Sequence, residues 1–519
     1  MAHSPFPQTI AGDRSVGDLI RAGARRHPER ELLVFEDAAG TAHSFSWTEV
    51  LAHSRGAATA IARAGVGRGD RVHLHLRNRP EFLFAWFGAA LLGASIVPTN
   101  SEASVEEMAY IVGHAATRIS IAEDAGREAV LAARARAGAA GPVLRCEEVG
   151  RLAAEAAGIE EAEVEPGEEL GVIYTSGTTS RPKGVIVTHA NYVYAGEVVA
   201  KAFALRPEDR LIVALPLFHA NAQYYSTMGA LSAGATIVLL PRFSASCFVD
   251  QCRRHRATVA SLFAAPIRML LAQEPRPDWR EHRLRLVLFA QNLSATELAL
   301  WEERVGAPLL RLYGMTETIG PPLANPIWGD RRADALGRVT LGYACRVVGE
   351  GGGEAAAGEP GELHVGGIPG VSLTPGYLSD PEATAAALVD GWIRTGDVVR
   401  VDGDGFFSFV DRRKDMIKRA GENVAAGEVE AVLLDHPGVT DAAVIGVADP
   451  IRDEAIVAFA VLGEGRSPRP ADLVEWCSER LSRFRVPEEV RLVAELPRTS
   501  VGKVQKHVLK REYEREKEG

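Results

Sequence analysis

From Tyr174 to Val185 the chain reads YTSGTTSRPKGV, entered from the apolar run GVIY and left through VIVTHANYVYAG. The flanks predict a strand on each side of a loop, the second strand running into a helix. Inside the loop the composition turns to hydroxyls, glycine and a cation. Thr175, Ser176, Thr178 and Thr179 supply O–H donors, Gly177 lets backbone N–H groups approach an oxyanion closely, and Lys183 adds positive charge. These are the parts of a phosphate cradle. The spacing is not GxxxxGK[ST], and Pro182 precedes the lysine. A polar surface loop has the same composition, so the string is read together with its neighbours.

Upstream, VGDLIRAGARRH and SWTEVLAHSRGAATAIARAG carry apolar residues at helical spacing, the second opening on a Ser46/Glu49 capping pair. GDRVHLHL alternates like a strand and sets His73 and His75 on one face, either as metal ligands or as two polar strand positions. The run FLFAWFGAALLGASIV, Phe82 to Val97, would rise about 24 Å as a helix, short of the roughly 30 Å hydrocarbon core. With Gly88, Gly93 and Ser95 inside it and Pro98 after it, the run predicts a buried helix followed by a strand. Ala125 to Glu168, rich in Ala, Gly and Glu, is expected to be a solvated helix and linker.

Downstream, LIVALPLF, ATIVLLP, TVASLFAAP and LRLVLFA are short apolar strands between helical stretches, the rhythm of parallel sheets covered by helices. From Val347 onward, turn residues between short strands predict antiparallel hairpins. After DRRKDMIKRAGENV the chain describes a small α+β unit of about 100 residues. The final REYEREKEG is expected to fray as a charged tail.

The 519 residues hold 58 Lys+Arg against 68 Asp+Glu, a net charge of −10. A chain that repels phosphate overall is not a general nucleic-acid binder, though one local basic site for an anionic ligand fits. Five cysteines (Cys146, Cys247, Cys252, Cys345 and Cys477) without a CxxC pair argue against a disulfide framework or a structural zinc site. The opening MAHSPFPQTIAGDRS lacks a basic segment followed by an apolar block, so neither a secretory signal nor a membrane span is expected and the location read is cytoplasmic.

Six further strings follow the loop in order: PLFHA (Pro216–Ala220), YGMTET (Tyr313–Thr318), GYLSDPEAT (Gly376–Thr384), GWIRTGD (Gly391–Asp397), DRRKDMIKRAGENV (Asp411–Val424) and PRTSVGKVQK (Pro497–Lys506). The set resembles the adenylate-forming (AMP-binding) superfamily of acyl-CoA synthetases, peptide-synthetase adenylation domains and luciferases, from about residue 16 to residue 510. Within it TSGTTSRPKGV, SAGAT, QNLS, RLYGMTETI and DPIRDEAI resemble the bacterial crotonobetaine/carnitine-CoA ligases. The resemblance implies an α/β fold: an N-terminal adenylation domain, 1–411, of helix-covered sheets with a distorted β-barrel region, and a mobile α+β C-terminal domain, 412–519, hinged near Lys414.

It also implies roles. A carboxylate does not acylate a thiol at neutral pH, because oxide would have to leave; converting it to an acyl-adenylate makes AMP the leaving group. By resemblance the loop from Thr175 to Lys183 holds the β- and γ-phosphates of ATP, Glu317 binds Mg²⁺, and Thr316 contacts the α-phosphate. Tyr313, beside Gly314, stacks on adenine. Asp397 accepts from the ribose hydroxyls with Arg412 assisting, and two acceptor oxygens on one carboxylate suit a vicinal diol. Lys503 sits between the attacking carboxylate and the α-phosphate, offsetting the repulsion of two anions. After adenylation the small domain rotates about Lys414 and brings Gly421, Glu422 and Asn423 to the channel for coenzyme A.

His219, in PLFHANAQYY, either gates the acid pocket or fills space; Asn221, Gln223, Gln291 and Asn292 are further pocket or nucleotide candidates. Three departures mark the chain: Ser180 for the common Gly, FAQNLS for the usual GGAPL, and Arg394 where His is commoner. The reading is an ATP-dependent acyl-CoA ligase taking a small-molecule carboxylic acid and CoA, and a homodimer is compatible with it. The alternatives are loading of a carrier protein, only the thioester-forming half-reaction on supplied acyl-AMP, and non-catalytic binding of an acyl ligand.

Overall fold

The computed structural model describes residues 9–151, 161–175, 182–412, 415–419, 422–449, 453–463, 465–499 and 502–518. Several of its helices begin at side-chain caps. Ser46 accepts the Glu49 N–H while the Glu49 carboxylate accepts the Ser46 N–H, opening the helix Trp47–Arg63. Thr188 and Asn191 make the same reciprocal pair at the start of His189–Ala202, directly after the second strand of the loop.

The apolar run forms a buried helix, Pro80–Leu92, that crosses Trp47–Arg63 at close range. A Cβ on Gly88 would lie 2.7 Å from the Ser54 carbonyl oxygen and 2.8 Å from the Ala58 nitrogen, so only glycine permits that approach. Gly93, at φ +70°, ends the helix, and Ser95–Pro98 follows as a strand.

Two large sheets organise the N-terminal part. One runs, in spatial order, Val143–Arg145, Ile119–Ala122, Arg71–His75, Ser95–Pro98, Glu169–Thr175 and Lys183–Thr188. Its pairs are parallel except the last, the hairpin that carries the loop. The other has a parallel centre of Leu309–Tyr313, Leu286–Ala290, Val259–Phe263, Arg210–Val213, Thr236–Leu239 and Glu31–Glu36. Leu323–Ala324 and Arg338–Val339 extend one side of it and Ala42–Ser46 the other. A further five strands, Ala344–Val348, Gly361–Gly366, Leu388–Val389, Trp392–Val401 and Phe407–Arg412, form a half-barrel sheet, the form the expected barrel-like region takes.

His73 and His75 are buried strand residues. The His73 nitrogens lie 3.0 Å from Ser120 Oγ and 2.9 Å from Thr99 Oγ1, and burial pushes its pKa down to about 3, so the ring is neutral. Among the described residues no group of three His, Cys, Asp or Glu side chains is placed to hold a metal ion.

Two expectations are corrected. The Ala-rich segment after Ala125 is more than a solvated helix and linker: Asp124–Arg136 buries Val130 and Ala133 against Met108, and Val143–Arg145 pairs in parallel with Ile119–Ala122. A three-residue strand is too short to show a period, which is why the sequence conceals it. The C-terminal run expected as a frayed tail is helical from Arg511 to Glu518, where it continues the helix Lys506–Glu518. Leu509 and Tyr513 of that helix are buried against Ile445, Val457 and Phe459, and the Tyr513 hydroxyl donates to Glu489 at 2.9 Å.

The chain divides into two compact units. The first comprises residues 1–291, 299–345 and 365–393; the second comprises 292–298, 346–364 and 394–519. In the second, the strands Val439–Asp449 and Asp453–Leu462 form a long antiparallel pair. Its alternating side chains serve two cores: Val444 and Ile456 face Val429, Leu433 and Leu473, while Ile445 and Val457 face Leu509 and Tyr513.

Candidate functional site

The first unit assembles a site around the hairpin of Glu169–Thr175 and Lys183–Thr188. Thr175 ends one strand and Lys183 starts the next, directly opposite it. Ser176, Gly177, Thr178 and Thr179 lie outside the described residues. Alongside the second strand runs Thr374–Leu378. Ile186 N–H donates to Gly376 C=O at 3.0 Å and Leu378 N–H to Gly184 C=O at 2.8 Å. Gly376, at φ +148°, has no room for a side chain, since a Cβ would stand 2.7 Å from Thr384 Cγ2.

This register puts Tyr377 under the loop lysine. Lys183 Nζ stands 5.0 Å from the Tyr377 ring centroid, within cation–π range. The Tyr377 hydroxyl donates to Glu317 Oε1 at 2.9 Å. Burial first, and then the negative charge of Glu317, raise the phenol well above its ordinary pKa, so it stays a donor at any working pH. Glu317 is only 6% exposed.

Glu317 belongs to a turn that leaves the strand Leu309–Tyr313 and is tied down residue by residue. The Tyr224 hydroxyl donates to Thr316 C=O at 3.4 Å, Thr374 N–H to Glu317 C=O at 2.9 Å, and Met315 N–H to Thr318 Oγ1 at 2.9 Å. The Tyr343 hydroxyl donates to Thr318 C=O at 2.7 Å and accepts Gly320 N–H at 2.8 Å. Gly314 is required by space: a Cβ there would meet the Tyr225 hydroxyl at 2.3 Å. Tyr313 is buried at the end of the strand.

The pocket candidates separate. Gln223 lies in a π-helical segment, Ala222–Met228, a wide turn of the kind that often accompanies functional sites. Its Oε1 accepts the Tyr192 hydroxyl at 2.6 Å and its Nε2 donates to Leu217 C=O at 2.7 Å, in full burial. The expectation that Gln223 faces an acid is therefore corrected: both ends of its amide brace the interior. Asn221 Oδ1 accepts Ser261 Oγ at 2.8 Å, and the His219 ring meets Phe263 edge-on at 5.5 Å. Gln291 follows the strand Leu286–Ala290 at φ +78°, a left-handed conformation unusual for a side-chain-bearing residue, and its buried Nε2 has no hydrogen-bond partner among the described residues.

Other named residues fall in the second unit. Asp397 and Arg412 face each other as register partners across an antiparallel pair, and Asp397 is buried. Asn292 is exposed. Lys503 is exposed at a tight turn closed by its own C=O accepting Thr499 N–H at 2.8 Å, after Gly502 at φ +77°. Glu422 and Asn423 lie on the strand Glu422–Ala425; Lys414 and Gly421 are outside the described residues.

Sequence reasoning missed Tyr224, Tyr343 and Tyr377. Tyr377 stands inside the quoted GYLSDPEAT and Tyr224 inside NAQYY, yet their partners lie 60 and 92 residues away along the chain. Tyr343 belongs to none of the quoted strings.

Residues 20–378 match the AMP-binding enzyme family, and residues 428–503 match the AMP-binding enzyme C-terminal domain. Crotonobetaine/carnitine–CoA ligases of Salmonella choleraesuis (strain SC-B67) and Salmonella typhi are 38% and 37% identical to the chain over 517 residues, covering 96% of it and 100% of each relative. Among solved structures, ATP-bound MatB from Rhodopseudomonas palustris matches with a TM-score of 0.86 at 29% identity, over 96% of this chain and 99% of that one. O-succinylbenzoate coenzyme A synthetase (MenE) from Bacillus subtilis in complex with AMP matches with a TM-score of 0.83 at 26% identity, over 96% and 98%.

Proposed function

The chain belongs to the AMP-binding enzyme family, and from that premise we propose that it joins a carboxylic acid to coenzyme A at the expense of ATP. In the first half-reaction a carboxylate oxygen attacks the α-phosphorus and the bond to the β-phosphate oxygen breaks, giving acyl-AMP and pyrophosphate. In the second the CoA thiolate attacks the acyl carbon and AMP leaves. The observation that carries the reading is the buried Glu317 carboxylate, held by Tyr377 beneath Lys183 at the exit of the phosphate-loop hairpin.

Lys183 and the loop hydroxyls from Thr175 to Thr179 bind the β- and γ-phosphates, and Thr316 contacts the α-phosphate. Glu317 is the carboxylate for Mg²⁺: the site offers an oxygen donor, which suits a hard cation, and the Tyr377 hydroxyl engages its Oε1. When bound, Mg²⁺ neutralises phosphate charge. Tyr313 and Gly314 form the adenine wall, and Asp397 with Arg412 takes the ribose diol. Gln291 supplies the unpartnered donor of the acid or nucleotide pocket, with Asn292, His219 and Asn221 as further lining.

Lys503 acts in adenylation only. The C-terminal domain, 412–519, then turns about Lys414, and Gly421, Glu422 and Asn423 line the approach of the thiol. The named activity of the Salmonella relatives makes crotonobetaine and carnitine the first acids to try. Among the described residues no helix is long and apolar enough to cross a membrane, and the five cysteines are free thiols, which supports a reducing cytoplasm. A homodimer is the assembly to test by sedimentation.

The test is an acid panel given ATP, Mg²⁺ and CoA, with pyrophosphate and thioester measured separately. Both products support the reading. Pyrophosphate without thioester points to carrier loading, thioester only from supplied acyl-AMP to the second half-reaction alone, and neither product to a binding role.

A further inference from the structure

Ile319, two residues after Glu317, is fully buried with a φ of +63°. Left-handed backbone costs an L-residue roughly 1–2 kcal/mol, and for a β-branched one it is a genuine outlier. Such a conformation persists only where its surroundings over-determine it.

The Thr318 hydroxyl spans it weakly, reaching Gly320 C=O at 3.4 Å, and one tyrosine does so with two short bonds. Tyr343 places a single oxygen across the strained residue, accepting the N–H of Gly320 on one side and donating to the C=O of Thr318 on the other. Gly320 makes room for it, since a Cβ there would stand 2.7 Å from that oxygen. Tyr194 backs Tyr343, ring edge against ring at 5.6 Å, with its own hydroxyl donating to Leu341 C=O at 3.3 Å. If the Tyr343 bridge were absent, Ile319 could relax toward negative φ. The Thr316–Thr318 turn would move with it.

We infer that Tyr343 is a positioning residue for adenylation, its hydroxyl clamping the strained turn at Ile319 so that Glu317 and Thr316 keep their aim. The positioning role rests on the AMP-binding reading; the clamp itself does not.

The test compares Tyr343→Phe, Ile319→Gly and the double variant, because glycine takes φ near +63° without steric cost. Two readouts are taken on the full chain. The first is hydrogen exchange at the Gly320 amide. The second is calorimetric binding of α,β-methylene-ATP with and without Mg²⁺. Tyr343→Phe is expected to speed Gly320 exchange and to cut the Mg²⁺-dependent gain in analogue affinity about five- to thirtyfold, the equivalent of the released strain. In the Ile319→Gly background the same substitution should change that gain little, since no strain is left to restrain. Any cavity left by removing Ile319 is common to both members of that comparison.

Unchanged Gly320 exchange in Tyr343→Phe overturns the clamp. Faster exchange with an intact Mg²⁺ gain overturns the positioning role, because a merely structural bond would move stability alone. If the unaltered protein shows no Mg²⁺-dependent analogue binding, the AMP-binding reading is what has failed and the positioning role falls with it, while Gly320 exchange still decides the clamp.

Discussion

Replacing Tyr377 with phenylalanine removes one hydroxyl and leaves the ring under Lys183, so it isolates the bond to Glu317. That bond is 2.9 Å long, and its acceptor is a carboxylate 6% exposed to solvent. Hydrogen bonds to charged groups contribute about 1.5–3 kcal/mol, and a buried acceptor that loses its donor is not repaid by water. The cation–π contact survives in phenylalanine, so Lys183 should be little disturbed. Tyr377→Phe should therefore lower unfolding free energy by about 1.5–3 kcal/mol in urea titrations. To the extent that the same bond aims Glu317 in the transition state, ATP–pyrophosphate exchange should fall about ten- to a hundredfold. The deciding measurement is a double-mutant cycle with Glu317→Gln. Coupling below about 0.5 kcal/mol would mean that the two side chains act independently and that the argument from their contact is wrong.

Lys503→Ala should depress adenylation by about 10²–10³ while sparing thioester formation from supplied acyl-AMP; equal losses in both halves would reject its assignment to the first step. Gln223→Leu should cost stability by about 1–3 kcal/mol for each buried group it strands, Tyr192 Oη and Leu217 C=O, with KM for the acid unchanged; a raised KM without destabilisation would return Gln223 to the pocket. His189 accepts the Val16 N–H at Nδ1, and burial pushes its pKa from 6.5 down to about 4. The folded state therefore resists the proton that the unfolded chain takes up. The stability that follows is full above about pH 6.5 and is lost as pH falls through about 4. His189→Asn, which keeps an acceptor for Val16, should flatten that acid limb of the melting curve; an unaltered slope would exclude His189 as its source.

Much of the fold was legible because its signals are local. The capping pair at Ser46 and Glu49, the apolar run ended by Gly93, and the strand–loop–strand from Glu169 to Thr188 each sit within one turn or one strand of their partners. The edge strand Val143–Arg145 and the docked C-terminal helix were not, since one is too short for periodicity and the other shows two apolar anchors among many charges. The site divides the same way. Glu317 was found through its motif, but what holds it comes from residues 374–377, 224 and 343, and no spacing rule connects those segments. Gln223 was misread because a polar residue in an apolar stretch announces a partner without saying whether that partner is a ligand or another part of the protein.

The pairing of Thr374–Leu378 with Lys183–Thr188 has a consequence for how this protein can vary. The strand that leaves the loop and the segment that steadies the Glu317 turn are joined by main-chain bonds, to which the Thr374 hydroxyl adds one to Ile186 C=O at 2.7 Å. The main-chain bonds survive most side-chain exchanges, but losing a single residue between Thr374 and Leu378 would turn Tyr377 to the opposite face and misalign both the strand and the Glu317 turn at once. Deletions should therefore be tolerated far less there than in the glycine-rich turn at Gly351–Gly353, where an added Cβ would meet open space.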